Sequence, residues 1–546
     1  MNSEEKANIY GQWGGAPRAG GPRGNGERLY CSPRTRRGAV YRKLILAAAA
    51  GAGLFVPIAS AQNITFNQAD RLNQYYPYDM TVADLNHDGY PDLMFSLPSS
   101  FDLYTLMSNG TGQYVDWTIP TVYCPSAPIG VGDFQRNGNQ SILVGFPSIY
   151  GFVCGGTTSP GVTFSEYSNN GSGIFSEHGR YPGMAVAGVV ADFNGDHKLD
   201  YVGLGNDNWS PSGIFVQLYY GDGYGGFSNP YRIEALTPET TPTGYGFNIT
   251  AGDFDGNGCP DVAWVEQSGG PAAQKPILSV LRVAYGDCKG DFNVTTAYSG
   301  NIYLNTLHTT DLNRDGVSDL VATWAGNGTP TGGVQIFYGQ KGRTFAQKTI
   351  TDNEASDPLV VADLNGNGYP DIAYVDYVNP LNPTSTTLVI RQGDASQAFT
   401  AESTYPFSTN QVDQMRAGDF NHDGKTDLAV LYSGPSVPSN EKGFSFLYNT
   451  SSYPGGACPV PAGPGINVCS PGATSGTAVN VLAAGNVDNP AVYLELWVDG
   501  ARVAGYGSTN ELRTTITLTP GRHALGFVAI DAAGNKVSKT NVVTVQ

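Results

Sequence analysis

The chain has 546 residues and a formal net charge of −17, a length at which about three domains are expected. Gly (71) and Pro (35) are abundant, Tyr (32) outnumbers Phe (23), and 14% of residues are charged. This composition favours strands and turns and argues against a helical bundle, a coiled coil or a disordered acidic tail. Residues 1–43 hold nine Lys/Arg and three Asp/Glu, so the remainder carries −23, which disfavours nucleic acid and anionic membranes and suits cations.

The N-terminal segment, residues 1–61, is predicted to be a leader. Basic sequence precedes a fifteen-residue apolar run, Leu44–Ile58, which ends at the small residues Ala59–Ala61. This pattern is typical of a secretory signal peptide, and cleavage would leave Gln62 at the N-terminus. A membrane anchor, the alternative, needs about 20 apolar residues. Because secretory leaders usually span ~15–30 residues, we interpret residues 1–39 as a mis-assigned start and expect a secreted or surface-displayed body without a transmembrane span.

A nine-residue unit recurs seven times after the leader. It carries oxygen-bearing side chains at positions 1, 3, 5 and 9, with glycine expected at position 6. Successive first aspartates lie 49, 59, 61, 58, 52 and 56 residues apart, a period that matches one four-stranded propeller blade. Units 1 to 7 are Asp84–Asp92, Asp133–Ser141, Asp192–Asp200, Asp253–Asp261, Asp311–Asp319, Asp363–Asp371 and Asp419–Asp427.

Short apolar segments flank the units and predict strands. Pro358–Ala362 precedes unit 6, and Leu428–Leu431 follows unit 7. A third strand, such as Phe215–Tyr220, ends in a glycine-rich turn and an aromatic residue that opens a fourth. Four strands in sequence, repeated seven times, predict an all-β fold, a seven-bladed β-propeller over residues 62–450.

The ends of this region predict how the ring closes. Asn63–Phe66 has the pattern of a fourth strand without its first three, whereas the last unit supplies three strands and ends at Phe444–Asn449. The N-terminal strand is therefore expected to complete the last blade, which also removes a free sheet edge.

The nine-residue loops have the chemistry of calcium sites. A hard divalent cation takes six to eight oxygens at about 2.3–2.6 Å, and oxygens at positions 1, 3, 5 and 9, with the carbonyl of position 7, can converge because glycine at position 6 permits a sharp turn. A metal-free Asx-rich turn is the alternative, which six copies at blade spacing disfavour. We expect about six structural Ca²⁺ ions, weakest in units 6 and 3 and none in unit 2, where Gln135, Asn137 and Ser141 accompany Asp133.

The predicted calcium ligands share positions 1, 3, 5, 7 and 9 of the six remaining units. They are Asp84, Asn86, Asp88, Tyr90, Asp92, Asp192, Asn194, Asp196, Lys198, Asp200, Asp253, Asp255, Asn257, Cys259, Asp261, Asp311, Asn313, Asp315, Val317, Asp319, Asp363, Asn365, Asn367, Tyr369, Asp371, Asp419, Asn421, Asp423, Lys425 and Asp427.

At these residues the chain resembles FG-GAP/VCBS repeat proteins, whose relatives include the N-terminal propeller of integrin α chains. The resemblance covers roughly residues 63–450. It implies that the Ca²⁺ loops join the first and second strands of each blade on a lower face. It also implies that ligands bind the upper face, where the second-to-third-strand loops and the interblade loops lie.

The cysteines fit an oxidising compartment. Six follow the leader, which favours disulfides, and the count alone allows fifteen pairings. The topology implied by the resemblance pairs cysteines that lie on one face or flank one linker. The implied pairs are Cys124–Cys154, Cys259–Cys288 and Cys458–Cys469.

The C-terminal region is predicted to be a separate module. Residues 451–470 are rich in Pro, Gly and Ser and predict a linker, and residues 471–546 predict a small immunoglobulin-like β-sandwich, similar to those of bacterial surface proteins. Within it, Trp497 is expected in the core. The predicted strands are Val492–Val498 and Ala501–Val503, joined by an Asp-Gly turn, followed by Thr514–Leu518, Ala524–Ile530 and Val542–Val545.

The predicted upper-face loops contain aromatic residues among Asn, Gly and Ser. Exposed aromatic rings beside amide groups suit recognition of a sugar or a peptide, whereas packing of blade against blade is the alternative for half or more of them. The candidates are Tyr75, Tyr76, Tyr78, Tyr123, Tyr150, Trp209, Tyr245 and Trp324.

Three functions remain open from the sequence. The leading hypothesis is a secreted or cell-surface, calcium-binding propeller of the adhesion or recognition type, which binds an extracellular glycan or protein. An extracellular polysaccharide lyase or hydrolase is the alternative, because propellers also host enzymes. Against it, the sequence has no G-x-S-x-G or H-E-x-x-H motif, and two of its six histidines, His87 and His422, lie inside the loops. A non-catalytic surface scaffold is the third.

Overall fold

A computed structural model describes most of the chain after the predicted leader. All regular elements of these residues are strands, and no helix long and apolar enough to cross a membrane occurs among them. Ala59–Gln546 forms one compact unit, and the predicted leader lies outside the described residues. The described ranges are 63–72, 80–97, 102–109, 113–119, 127–145, 164–181, 187–206, 214–235, 248–270, 275–326, 331–352, 356–377, 386–407, 412–432, 443–454, 456–487, 491–507 and 510–546.

The first 28 strands of the described residues form seven four-stranded antiparallel sheets. The strands are β1 Phe66–Leu72, β2 Met80–Ala83, β3 Asp92–Leu97, β4 Asp102–Ser108, β5 Tyr114–Ile119, β6 Ala127–Gly132, β7 Ser141–Gly145, β8 Phe164–Asn169, β9 Phe175–Tyr181, β10 Ala187–Ala191, β11 Asp200–Asn206, β12 Ile214–Tyr219, β13 Tyr231–Ala235, β14 Ile249–Gly252, β15 Asp261–Gly270, β16 Lys275–Gly286, β17 Phe292–Gly300, β18 Ile302–Thr310, β19 Asp319–Gly326, β20 Gly332–Gln340, β21 Thr344–Asp352, β22 Ser356–Ala362, β23 Asp371–Tyr377, β24 Thr386–Arg391, β25 Glu402–Phe407, β26 Val412–Gly418, β27 Asp427–Tyr432 and β28 Gly443–Asn449.

The sheets are arranged as the blades of a β-propeller. Six of them take four consecutive strands, in the orders β2 to β5, β6 to β9, β10 to β13, β14 to β17, β18 to β21 and β22 to β25. Their first strands contact one another in sequence, and β26 of the last sheet contacts β2 of the first. The first strands therefore line a closed ring, and the all-β propeller class predicted from the sequence is confirmed.

The last sheet is completed by the N-terminal strand. Its order is β1-β28-β27-β26, and Phe66 pairs with Asn449 while Leu72 pairs with Gly443. The predicted closure is confirmed, but the strand expected at 63–66 runs over Phe66–Leu72. Ile64, just before it, is buried at 3% exposure in the core of the last two sheets.

Each nine-residue unit is the hairpin between the first and second strands of a sheet. The first strand ends one residue before position 1, and the second begins at position 9, so that Ala83 pairs with Asp92 and Thr310 with Asp319. The apolar residue at position 2 is buried in all seven units, at 2% exposure or less. This residue anchors each loop to the core between sheets, because burial of an apolar side chain of that size stabilises by about 1.5–3 kcal/mol.

The C-terminal region forms two further sheets around one core. One has the order β29-β31-β34 and the other β30-β36-β35-β32-β33, and Ile466, Leu512, Leu496 and Phe527 meet between them. The immunoglobulin-like assignment stays a prediction. The strands are β29 Gly465–Val468, β30 Ala473–Thr474, β31 Ala478–Asn486, β32 Ala491–Val498, β33 Ala501–Gly507, β34 Glu511–Thr517, β35 Gly521–Asp531 and β36 Lys536–Val545.

Two expectations for this region need correction. Strand β29 lies inside the span expected to be linker, because Ile466 contributes to the core of the sandwich. Trp497 is half-buried rather than part of the core, which β32 supplies through Leu494 and Leu496. Since side chains alternate along a strand, Trp497 lies on the outer face, where its indole donates a 2.9 Å hydrogen bond to Glu495.

Candidate metal-binding loops

Two positions of each loop have left-handed backbone. Position 6 has φ between +62° and +87° in all seven units, including His197 of unit 3 at +62°. Position 4 is also left-handed throughout, with glycine in units 3, 4 and 6, whereas His87, Arg136, Arg314 and His422 take φ of 52° to 60° in the others. Glycine at position 6 was expected from the sequence, whereas left-handed backbone at position 4 was not, although three glycines there are a readable signal.

The side-chain oxygens at positions 1, 3 and 5, from Asp or Asn, turn inward and accept backbone amides. In unit 1 the two oxygens of Asp84 accept the amides of Asp88 (3.2 Å) and Gly89 (2.9 Å). Asn86 accepts the amide of Asp88 at 3.0 Å, and Asp88 accepts that of Tyr90 at 2.9 Å. The oxygens thus face the interior of one tight loop, as a cation with several oxygen ligands requires.

Position 9 has a second role. The six aspartates at this position are fully buried, and each accepts the amide of position 2 and an amide at the end of the third strand. Asp319, for example, accepts Leu312 at 2.9 Å and Gly339 at 2.8 Å. This residue therefore joins the loop to the third strand of its own sheet, whether or not it also binds a metal.

The carboxylates of unit 4 converge on a common point. Asp253, Asp255 and Asp261 each place one carboxylate oxygen within 4.8 Å of the other two. Among the described residues, this group of acidic side chains has the spacing of a metal site. Oxygens placed about 2.4 Å from one ion are at most about 4.8 Å apart, so the spacing fits a Ca²⁺-sized ion. Arg343, from the next sheet, lies 2.9 Å from Asp255 and supplies a competing positive charge.

Burial makes these carboxylates costly without a cation. It raises the pKa of Asp92, Asp261, Asp319 and Asp427 to about 8, although backbone amides lower it, and the neighbouring aspartates of the same loops raise it further. The same cause raises the pKa of Asp200 to about 7. A divalent ion would stabilise the ionised form of each group, so the residues present fit such an ion.

The units differ in the charges that surround them. In unit 6, Asn365 donates to Asp371 at 3.2 Å and Asn367 donates to the carbonyl of Gly393 at 2.7 Å. Burial raises the pKa of Asp363, and Arg513 and Arg314 oppose that shift. Positive charge from the protein already reaches unit 6, and its expected weakness as a calcium site stays a prediction.

Two position-7 lysines likewise bring positive charge to the carboxylates of their own loops, units 3 and 7. Lys198 lies 2.9 Å from Asp196 in unit 3, and Lys425 lies 3.6 Å from Asp423 in unit 7. These side chains were expected to contribute only their backbone carbonyls. Their ammonium groups neutralise part of the position-5 carboxylate, so a cation must compete with them.

Unit 2 has a buried carboxylate that the sequence analysis missed. Glu166, on β8, is fully buried, and its oxygens accept the hydroxyl of Ser168 at 2.9 and 3.2 Å. Burial raises the pKa of Glu166 to about 7, against hydrogen bonds from Ser168 and Ser141. The acid thus lies beside the serine that replaces aspartate at position 9. No loop motif marks it, because it lies 25 residues beyond Ser141.

The remaining predicted residues divide by location. Disulfides join Cys259 to Cys288 and Cys458 to Cys469, which are the pairs that the resemblance implies. Trp324 is 8% exposed and packs in the core between two sheets, so its assignment to an exposed aromatic patch is wrong. Cys124 and Cys154, and the other aromatic candidates (Tyr75, Tyr76, Tyr78, Tyr123, Tyr150, Trp209 and Tyr245), lie outside the described residues.

The fold and these loops define a β-propeller with an aspartate-rich hairpin at one end of each sheet. The chain contains FG-GAP-like repeats, which match at residues 192–264 and 311–374. It is similar to integrin alpha-PS2 of Drosophila melanogaster, with 26% identity over 212 residues. That match spans 38% of this chain and 12% of the integrin. The repeat class expected from the sequence is therefore confirmed in these stretches.

Solved structures with similar folds include two enzymes. One is an α-L-arabinanase of Penicillium chrysogenum complexed with arabinobiose, with 12% identity, a TM-score of 0.37 and coverage of 71% of this chain and 98% of that one. The other is a rhamnogalacturonan lyase of Bacillus licheniformis, with 10% identity, a TM-score of 0.31 and coverage of 88% and 90%. At these TM-scores neither similarity carries an argument about activity.

Proposed function

We propose that this protein is a secreted or surface-displayed β-propeller whose aspartate-rich loops bind Ca²⁺ and whose opposite face binds an extracellular glycan or protein. The observation that carries the proposal is the convergence of Asp253, Asp255 and Asp261 within 4.8 Å, in a loop whose position recurs in every sheet of the propeller. The similarity to an integrin α chain supports an extracellular ligand.

Calcium would act here as a structural ion that offsets the repulsion between the loop carboxylates. When bound, the ion supplies two positive charges to oxygens that otherwise repel one another across a tight hairpin. Position 1 orients the amides of positions 5 and 6, position 9 holds the third strand, and the left-handed residues at positions 4 and 6 let the oxygens face inward. The loops thereby stabilise the propeller that presents the ligand-binding face.

Titration calorimetry on the mature chain tests the metal site. Asp253→Asn should remove one binding event, because it takes a charge from the convergent group of unit 4. Asp133→Asn in unit 2 is the matched control, since both aspartates accept the amides of positions 5 and 6, at 3.0 and 2.8 Å. Equal loss of calcium binding in both variants, or no binding by the wild type, would overturn the metal assignment.

The C-terminal region already lies against the loop face of the propeller, which leaves the opposite face for a ligand. Residues of the C-terminal region cover position 6 in five of the seven loops, so we assign a macromolecular ligand to the opposite ends of the strands. By sequence position, the predicted aromatic residues other than Trp324 belong to the segments that join those ends.

A glycan array probed with and without calcium, together with binding to extracellular matrix proteins, tests this face. Trp209→Ala and Tyr245→Ala should weaken whichever ligand is found by tenfold or more. Tyr224→Ala serves as the control, because Tyr224 is 78% exposed in a turn beside unit 2. A ligand lost with Tyr224→Ala and retained in the other two variants would contradict the assignment.

A further inference from the structure

The residue at position 6 of five loops is covered by residues 453–534 of the C-terminal region. A Cβ added to Gly424 would lie 2.7 Å from the backbone nitrogen of Cys458, and one added to Gly316 would lie 2.9 Å from the hydroxyl of Tyr493. Gly89 meets the backbone of Ala462, and Gly368 meets the carbonyl of Arg513. In unit 3, His197 reaches the carbonyl of Ala533 at 3.4 Å.

The same position is open in the other two units. A Cβ at Gly138 or Gly258 would meet no atom within 4 Å, although both have φ of +84° to +85°, as Gly89 and Gly316 do. Left-handed backbone therefore explains glycine in units 2 and 4, whereas close approach of the C-terminal region adds a second requirement in units 1, 5, 6 and 7.

Residues of the C-terminal region also form hydrogen bonds with backbone groups of the loops. The hydroxyl of Tyr453 donates to the carbonyl of Asp363 at 3.2 Å and accepts the amide of Thr426 at 3.0 Å, so it joins units 6 and 7. The amide of Asp192 donates to the carbonyl of Ala532 at 3.0 Å. These bonds form only while the loops hold their present conformation.

The contact is also well buried. Tyr453 is 7% exposed, Cys458 2% and Ala533 4%, and Ala533 belongs to one apolar cluster with Phe134 and Leu199 of the propeller. The disulfide between Cys458 and Cys469 ties the crossing segment to the sandwich. Residues 451–546, which we call the C-terminal cap, therefore rest on the loop surface of the propeller and cover position 6 of five loops.

We infer that calcium binding and docking of the C-terminal cap are coupled, such that each strengthens the other through units 1, 3, 5, 6 and 7, while unit 4 binds independently of the cap. The inference rests on the proposed calcium binding. A cation fixes the left-handed residues of a loop, and those residues are the surface that the cap contacts. Linkage then requires the effect to be reciprocal, typically a 5- to 150-fold change in an equilibrium constant.

Hydrogen exchange on the full mature chain, with calcium or with a chelator, tests the coupling. Calcium should slow exchange at residues 456–462 and 531–535 by about tenfold. Gly424→Ala should abolish this protection and weaken calcium binding, because its Cβ would collide with Cys458. Gly138→Ala is the matched control, with the same backbone and hydrogen bond to its aspartate but open space, and should change neither quantity.

Two further variants keep the test decisive. Tyr453→Phe retains the ring and removes only the hydroxyl that joins units 6 and 7, so it should reduce cap protection in a folded protein. Asp253→Asn should remove one ion and leave cap protection unchanged. Calcium binding by calorimetry without any change in cap protection would overturn the coupling and leave the proposed function intact, whereas absence of calcium binding would overturn both.

Discussion

A single residue type, the aspartate at position 9, connects three parts of six of the seven blades. It ends the loop, begins the second strand and accepts an amide from the third strand. Its partner lies 16 to 25 residues away in sequence, so pattern alone could suggest a metal ligand but not the strand contact. The apolar residue at position 2, which was not singled out from the sequence, is buried by the same hairpin.

Replacing this aspartate should destabilise the propeller even without metal. In Asp319→Asn, an NH₂ group replaces one of the two carboxylate oxygens that accept backbone amides. One backbone N–H then loses its acceptor, and an unsatisfied buried donor costs about 1–3 kcal/mol. We expect a lower urea midpoint in both calcium and chelator. Asp315→Asn, at the exposed position 5 of the same loop, should lower the midpoint only in calcium. Equal behaviour of the two variants would assign position 9 to the metal alone.

A histidine on a ring-lining strand predicts acid sensitivity. Burial, and then the positive charge of Arg416, lowers the pKa of His308 on β18 to about 4. Because the folded pKa is below the usual 6.5, the unfolded chain binds the proton first as the pH falls. The stability that neutral His308 contributes is therefore complete above about pH 6.5 and is lost as the pH falls towards 4. The difference in melting temperature between wild type and His308→Gln should therefore shrink or reverse over that range; a difference independent of pH would contradict it.

At the scale of elements, the sequence pattern located hairpins better than it located strand ends. Periodic apolar residues around an Asp-Gly loop predict paired strands because both signals arise within a few residues. The limits of β1 were misjudged, since its pairing with β28 depends on residues almost 400 positions away. Trp324 and Trp497 were misassigned for a related reason, because the face of a strand that becomes buried is decided by the neighbouring sheet.

The closing strand β1 should be required for stability. Deleting residues 63–72 leaves β28 as an unpaired edge and removes Ile64 from the core, so we expect a fall of several degrees or more in melting temperature and self-association on gel filtration. Asn67→Ala, an exposed change within β1, is the control and should fall within about 0.5 kcal/mol of wild type. A truncated chain that stays monomeric with unchanged melting would show that the ring does not need this strand.

At the scale of the whole molecule, a large share of the acidic charge belongs to the aspartate-rich loops. Outside residues 1–43 the chain carries −23, and 17 carboxylates belong to the six loops expected to bind calcium. Arg343, Lys198, Lys425 and Arg513 bring positive charge to four of these loops from the protein itself. Arg343 and Arg513 could not be assigned to these loops from sequence, because they come from a neighbouring blade and from the cap, whereas Lys198 and Lys425 lie within the loops themselves.

This charge distribution predicts that salt stabilises the metal-free protein more than the calcium-loaded one. Six bound Ca²⁺ would reduce the body charge from −23 to about −11, and ionic strength screens whatever repulsion remains, with a Debye length of about 30 Å at 0.01 M and about 10 Å at 0.1 M. Raising sodium chloride over this range should increase the melting temperature in chelator by several degrees and in calcium by much less. Choline chloride should act like sodium chloride, since the effect depends on ionic strength. Parallel salt dependence in the two states would mean that the loop carboxylates are already neutralised by protons or by the neighbouring Lys and Arg side chains.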